Sequence, residues 1–300
     1  MSTHITVVGS INADLTVNVA AHPAPGETLL GSGGGITAGG KGANQAVAAA
    51  RLGARVALVG AVGNDAYAEP ATALLRSSGV DLAHVETVDS VTGLAVITVD
   101  AAGENTIIVV PGANAAVDAQ YVEKHQAPIR DAELVLLQGE IPADGFARAA
   151  ALAAGRVVVN LAPVVDVPRE ALLAANPLIA NEHEAGLILA QLGEDPAGEP
   201  AALAQRLVGA GFASVVLTLG ARGALVADAG GTHNIPTPRV TAVDTVGAGD
   251  AFAGALCTRL VAGDSLLDAA RFAARVGAFA VTKPGAQPSY PAESDPLPDV

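Results

Sequence analysis

The sequence predicts an α/β protein in which helices cover both faces of a mostly parallel central sheet, with a second, smaller sheet beside it. Short runs rich in Val, Ile and Leu, apolar throughout and not only at alternate positions, recur along the chain, and Ala-rich helical stretches separate them. Strands buried on both faces read as continuous apolar runs, and the helices between them supply the crossovers that parallel pairing needs. The smaller sheet is predicted by two segments that break this rhythm, alternate apolar with polar residues and have no helix to cover them.

In chain order, ITVVG (5–9) is the first strand; the N-terminus MSTHITVVGSINAD lacks the basic start of a secretory signal. Residues 15–37, rich in Gly and Pro, carry the short alternating pieces LTVNV and ETLLG. A helix follows over 42–52, a strand at RVALVG (55–60) and a helix over 66–77. Residues 92–110 form two alternating strands around AAGEN, a hairpin by its turn chemistry. The rhythm then resumes with strand LVLLQ (134–138), helix 142–154, strands RVVVN (156–160) and PLIAN (177–181), helices 182–191 and 199–210, and strand SVVLTLG (214–220). A helix over 251–260 closes the pattern, and residues 293–300, rich in Pro and acids, are expected to fray, leaving 1–292 as a single domain.

Composition narrows the function. With 16 Lys and Arg against 30 Asp and Glu, the net charge of −14 repels nucleic acid phosphates, and 3% aromatics without Trp leave little surface for stacking bases. The longest uncharged run, 207–221, contains three glycines, so no membrane span is expected. A lone cysteine, Cys257, excludes an intramolecular disulfide, suits a cytoplasmic location and is expected in the core.

Three stretches are candidates for chemistry. In AVDTVGAGDAFAGALCTRL (242–260), the N–H groups of Gly247, Ala248 and Gly249 open a helix N-terminus, where unpaired donors and the helix dipole favour an anion. Asp250 beside this nest reads either as a cap or turn residue, like Asp244, or as a proton acceptor. Asn12 and Asp14, in GSINAD, follow the first strand where open α/β sheets bind ligands; they suit sugar hydroxyls and equally an Asx-rich turn. The stretch GITAGGKGANQA (35–46) begins like a P-loop, but Gly42 stands where a magnesium-binding hydroxyl belongs.

GSINAD, GGKGANQA, LLQGE, NLAP, NEHE, TLGARG, DTVGAGD and KPGAQPS occur in the order seen in the ribokinase family, and this resemblance runs from residue 5 to about 290. GAGD and GGKGAN mark the wider phosphofructokinase-B-type sugar kinases, whereas SINAD, GGKGANQA and KPGAQPS are similar to ribokinases in particular. The resemblance implies a ribokinase-like three-layer α/β sandwich whose small β-sheet lid comes from segments near 13–38 and 91–111. It implies ATP-dependent phosphorylation of D-ribose at O5. The alternatives are a kinase for another pentose or nucleoside, such as 2-deoxyribose, and a non-catalytic sugar or nucleotide sensor.

By the same resemblance Asp250 would be the base, and Gly247, Ala248 and Gly249 the anion hole. Asn12, Asp14, Gly40, Lys41, Gly42, Ala43, Asn44 and Glu140 would bind the sugar, which makes the P-loop-like start accidental. Asn181, Thr218, Leu219, Gly220, Ala221, Arg222, Gly223, Gly249 and Ala274 would form the nucleotide site, with Glu184 acting on Mg²⁺ through water. Asp244, with Val246, Ala280, Lys283, Gly285 and Ser289, would surround a monovalent cation. One carboxylate among neutral oxygens suits K⁺ better than a divalent metal. The implied partners are D-ribose, ATP and a second copy of the chain paired through the lids.

Overall fold

The computed structural model describes residues 5–300. The chain opens with β1 (Ile5–Val8), β2 (Asn12–Asn18), β3 (Gly33–Gly39) and α1 (Lys41–Arg51). Next come β4 (Val56–Gly63), α2 (Ala68–Ser77), β5 (Asp81–Val88), β6 (Gly93–Val99) and β7 (Asn105–Val110). The middle contains α3 (Ala119–Lys124), α4 (Gln126–Asp131), β8 (Leu134–Gln138), α5 (Ala143–Leu152) and β9 (Arg156–Asn160). It continues through α6 (Arg169–Leu173), β10 (Ala175–Asn181), α7 (Glu182–Gln191), α8 (Pro200–Gly209) and β11 (Ser214–Thr218). The last elements are β12 (Ala224–Asp228), β13 (Gly231–Ile235), α9 (Ala248–Val261) and α10 (Leu266–Ala280).

The main sheet has nine strands in the order β13-β12-β11-β10-β9-β8-β1-β4-β5, parallel from β5 to β11, with β12 and β13 antiparallel at one edge. Its central strands are largely apolar because both faces are covered, whereas the edge strands β5 and β13 carry polar residues. Leu134 and Leu136 of β8 enter one core with α1, α2, α9 and α10, while Val135 and Leu137 enter the other with α3 to α8. This is the expected three-layer sandwich. Between α1 and α9 the approach is close enough that a Cβ on Gly254 would lie 2.7 Å from Ala48 Cβ and from the Gln45 carbonyl. Cys257 is fully buried on α9, where burial pushes its thiol pKa up.

The small sheet has four strands in the order β3-β2-β6-β7, drawn from 12–39 and 93–110. It differs from the sequence reading in three ways. ETLLG forms no strand, and the glycine-rich GGGITAG pairs with β2 instead, in a register running from Asn12↔Gly39 to Asn18↔Gly33. Glycine is a poor strand signal because it offers no side chain to pack, yet its backbone pairs like any other. Asn12 and Asp14 lie on β2 rather than in a turn. Helix α2 packs on the base of β2 and β3, so that end of the sheet is covered after all.

Elsewhere β5, β12, β13, α10 and the short α3, α4 and α6 go beyond the sequence reading. Helix α10 does carry a start signal, since Ser265 accepts from the Asp268 N–H as its N-cap. The C-terminal residues expected to fray are docked on α10. Arg275 donates to the carbonyls of Pro298 (2.8 Å) and Leu297 (3.1 Å) and pairs with Asp299 (2.8 Å). Among the described residues no helix is long and apolar enough to cross a membrane.

Candidate active site

Parallel strands aim their C-terminal ends at one edge of the sheet, and the loops leaving β1, β8, β10 and β11 converge there with the starts of α1, α7 and α9. A small polar pocket at this edge is lined by Lys41, Asn160, Asn181, Glu184, Thr218, Gly247, Gly249 and Asp250. Beside it lies a mostly apolar cavity of about 530 Å³, within the size range of ligand sites. Its walls include Thr218, Gly220, Ala221, Gly223, Ala248, Gly249 and Ala274 from the sequence reading. Asn12 and Glu140 line a further cleft under the lid.

Helix α9 begins at Ala248, three residues earlier than the sequence suggested, so Asp250 sits within its first turn. Gly247 caps the helix with φ 73°, a left-handed conformation, and a Cβ there would lie 2.5 Å from the Tyr290 hydroxyl. Of the three amides expected to hold an anion, that of Ala248 already donates to the Thr245 carbonyl at 3.3 Å. Asp250 is 7% exposed, and among the described residues its carboxylate bonds to no amide of its own helix turn. It accepts instead from Asn44 Nδ2 and Gln45 Nε2, each at 2.9 Å. The capping reading therefore fails for Asp250. For Asp244 the turn reading holds, since Oδ1 accepts from Val246 N (2.9 Å) and Oδ2 from Gly285 N (2.8 Å), tying two loops together.

At the start of α1 several backbone donors already have partners within the chain. Glu140 Oε2 accepts from Ser10 Oγ at 2.5 Å and from the Lys41 N–H at 3.0 Å, and Ser10 Oγ accepts from the Gly42 N–H at 3.2 Å. Ala43 N donates to the Ser10 carbonyl and Asn44 N to that of Gly40, the N-cap of α1. The Asn44 side chain donates to Asp250 and accepts from Gln287. Lys41 faces three carboxylates: Asp250 above all, then Glu140 and Glu184, raise its pKa above the ordinary value although burial opposes this. Burial, and then the Glu140 and Asp250 carboxylates, push Asp14 up from 3.8 to about 7.

At the start of α7, Asn181 and Glu184 form a capping box: Asn181 Oδ1 accepts from Glu184 N and Glu184 Oε2 from Asn181 N, both at 2.8 Å. Three nucleotide-site expectations lie outside the cavity, Asn181 lining the polar pocket beside it. Leu219 packs against the core instead, and Arg222 pairs with Glu182 at the surface. In the 280–289 turn, the Ala280 carbonyl accepts from Lys283 N, Ser289 Oγ donates to the Ala286 carbonyl, and the Lys283 ammonium lies over the Phe279 ring.

The sequence reading passed over Ser10, Gln45, Gln138, Asn160 and Gln287 although each stands inside or beside a motif it singled out. It also missed the cavity walls Thr237–Val240, Ala242, Phe252, Gly277, Ala278 and Val281. Apart from Arg239 the latter are ordinary apolar and small residues, and only their position next to DTVGAGD or on α10 points to them.

A helix start presenting a carboxylate to a polar pocket, beside an apolar cavity and under a small sheet, is the arrangement of a sugar kinase. The family model for pfkB family carbohydrate kinases matches residues 2–293, and the chain belongs to that family. Among its relatives is the ribokinase of Haemophilus influenzae, 38% identical over 98% of this chain and 97% of the relative. The ribokinase structure from Thermotoga maritima superposes with a TM-score of 0.91 at 33% identity, covering 97% of each chain. That of Arabidopsis thaliana ribokinase, complexed with ribose and ATP, has a TM-score of 0.89 at 32% identity, covering 98% of this chain and 97% of its own.

Proposed function

We propose that this chain transfers the γ-phosphoryl group of ATP to O5 of D-ribose, giving D-ribose 5-phosphate and ADP. The observation that carries the reading is Asp250: a buried carboxylate at the first turn of α9, opening on a polar pocket and free of any capping duty. An alcohol is too weak an acid to be ionised beforehand. Its proton passes to Asp250 late, as the bond from O5 to phosphorus forms and the bond from phosphorus to the ADP oxygen breaks. Lys41, in the same pocket, meets the negative charge on the phosphoryl oxygens, and the free first-turn amides of α9 receive it.

ATP places its adenine in the apolar cavity, whose Phe252, Val240, Ala278 and Val281 walls suit a flat ring. Ribose lies among Asn12, Asp14, the Gly39–Gly42 turn and Glu140 under the lid, whose closure excludes water.

Two cations fit the residues present. Glu184 and Asn181 line the polar pocket with Asp250, and so few carboxylates suit Mg²⁺ that keeps several waters. Bound with ATP, it would neutralise phosphate charge. Among the described residues no group of three or more His, Cys, Asp or Glu could hold a metal, and a second cation would draw mainly on neutral oxygens. Asp244, with the carbonyls of Val246, Ala280, Lys283 and Gly285 and with Ser289, suits K⁺ on this ground, since each Asp244 oxygen keeps a lone pair beyond its one N–H bond. A homodimer paired through the lids and a cytoplasmic location complete the reading.

ADP release from ATP and Mg²⁺ tests it, with D-ribose, 2-deoxyribose, fructose or adenosine, in K⁺ and in Na⁺. Ribose turnover that rises in K⁺ and falls about 10³-fold in Asp250→Asn is the expected result. Preferred turnover of another acceptor would move the specificity and keep the mechanism. Ribose binding without turnover of any acceptor would sink the kinase reading in favour of a sensor.

A further inference from the structure

We propose that Gln45 and Asn44 are positioning residues that aim the Asp250 carboxylate at the substrate hydroxyl, and that Gln138, Asn160 and Gln287 hold them in place. The inference rests on Asp250 being the base. An amide nitrogen only donates and an amide oxygen only accepts, so the bonds fix the orientation of each amide in turn. Asn160 Nδ2 donates to the Ile179 carbonyl at 3.1 Å, and Asn160 therefore presents Oδ1 to Gln45 Nε2 at 2.9 Å. Gln45 Nε2 directs its other hydrogen to Asp250 Oδ1 at 2.9 Å, and Gln45 Oε1 accepts from Gln138 Nε2 at 2.8 Å. On the other side Gln287 Nε2 donates to Asn44 Oδ1 and Asn44 Nδ2 donates to Asp250 Oδ2, both at 2.9 Å.

Each carboxylate oxygen thus has one fixed donor, both from α1, and keeps lone pairs directed elsewhere. Gln45, Gln138 and Gln287 are fully buried, so water cannot replace a missing bond. The arrangement has a competitor: Lys41 lines the same pocket with its ammonium group. Without the two amides the carboxylate is free to rotate toward Lys41 and form an ion pair, which turns it away from the hydroxyl. Through Asn44, Gln287 also ties the base to the turn that Asp244 holds through Gly285 N, so a shift of that turn reaches Asp250 through two side-chain amides in series.

The test is a double-mutant cycle in the full-length protein. Gln45→Met keeps length and volume and removes the donor to Asp250. The expected result is a fall in kcat of about 10²-fold, the scale of a misplaced reacting group, with ribose affinity by calorimetry unchanged. In an Asp250→Asn background the same substitution should have no further effect on the residual rate, because the charged group it positions is gone. An unchanged kcat in Gln45→Met, or the same fold-loss with and without Asp250, would overturn the proposal. Should Gln45→Met fail to fold, Gln287→Met probes the Asn44 arm with the same two readouts. Wild-type protein that turns over no sugar overturns the kinase reading and this inference together; an active wild type with an equally active Gln45→Met or Gln287→Met overturns the positioning alone.

Discussion

Asp14 shows how a single side chain can oppose the fold that contains it. It sits on β2 with its carboxylate against the Gly39 backbone, where a Cβ on Gly39 would fall 2.0 Å from Asp14 Oδ1. Burial and two neighbouring carboxylates raise its pKa from 3.8 to about 7. Between these values the folded chain holds a proton that the unfolded chain has released. Stability from this group therefore falls as pH rises from about 4 to about 7 and stays low above that. Asp14→Asn removes the effect, so its melting temperature should gain on the wild type from pH 5 to pH 8 in the absence of ligands. Equal differences at the two pH values would show that Asp14 titrates normally. Sugar hydroxyls donating to the ionised form would offset this cost in the bound state, a use for a carboxylate in so unfavourable a place.

At the scale of the element, the start of α9 depends on one backbone conformation. Gly247 adopts φ 73° and packs against Ala286 and Tyr290 of the C-terminal segment. Gly247→Ala adds the cost of a left-handed alanine, about 1–2 kcal/mol, to a contact of 2.5 Å with the Tyr290 hydroxyl. The expected outcome is a lower denaturation midpoint and a weaker nucleotide affinity, both measurable by titration. Loss of stability with unchanged ATP affinity would mean that the helix start is not part of the nucleotide site. Helices α1 and α9 were legible from their apolar and small residues, but their contact was not. Gly254 reads in the sequence as a mild helix defect, whereas in the structure it allows α1 to lie close enough for Asn44 and Gln45 to reach Asp250.

For the whole molecule, the small sheet is the part the core does not explain. Ile107 and Ile108 are adjacent on β7, so they point to opposite faces, and they are 51% and 62% exposed. An edge strand with apolar residues open on both faces invites pairing with another sheet. In the proposed dimer one face meets the partner lid and the other meets the sugar. Light scattering should give twice the mass of the chain for the wild type. Ile108→Lys should give a monomer with weaker ribose binding; a wild-type monomer with full activity would remove the lid pairing from the reading.

The sequence by itself determined the strands LVLLQ and RVVVN, the helix 182–191 and the three-layer class, because apolar periodicity and turn chemistry act over a few neighbouring residues. Glycine-rich β3 and the short polar β13 escaped it because their pairing is set by partners and not by their own side chains. The tertiary structure alone decided what Asp250 does in the ground state. Its donors lie 206 and 205 residues away, and the next amide along is 243 residues from Asn44. Such bonds exist only after the parallel strands have found their register and brought the loops to one edge. A motif can name the carboxylate, but only packing chooses the amides that hold it.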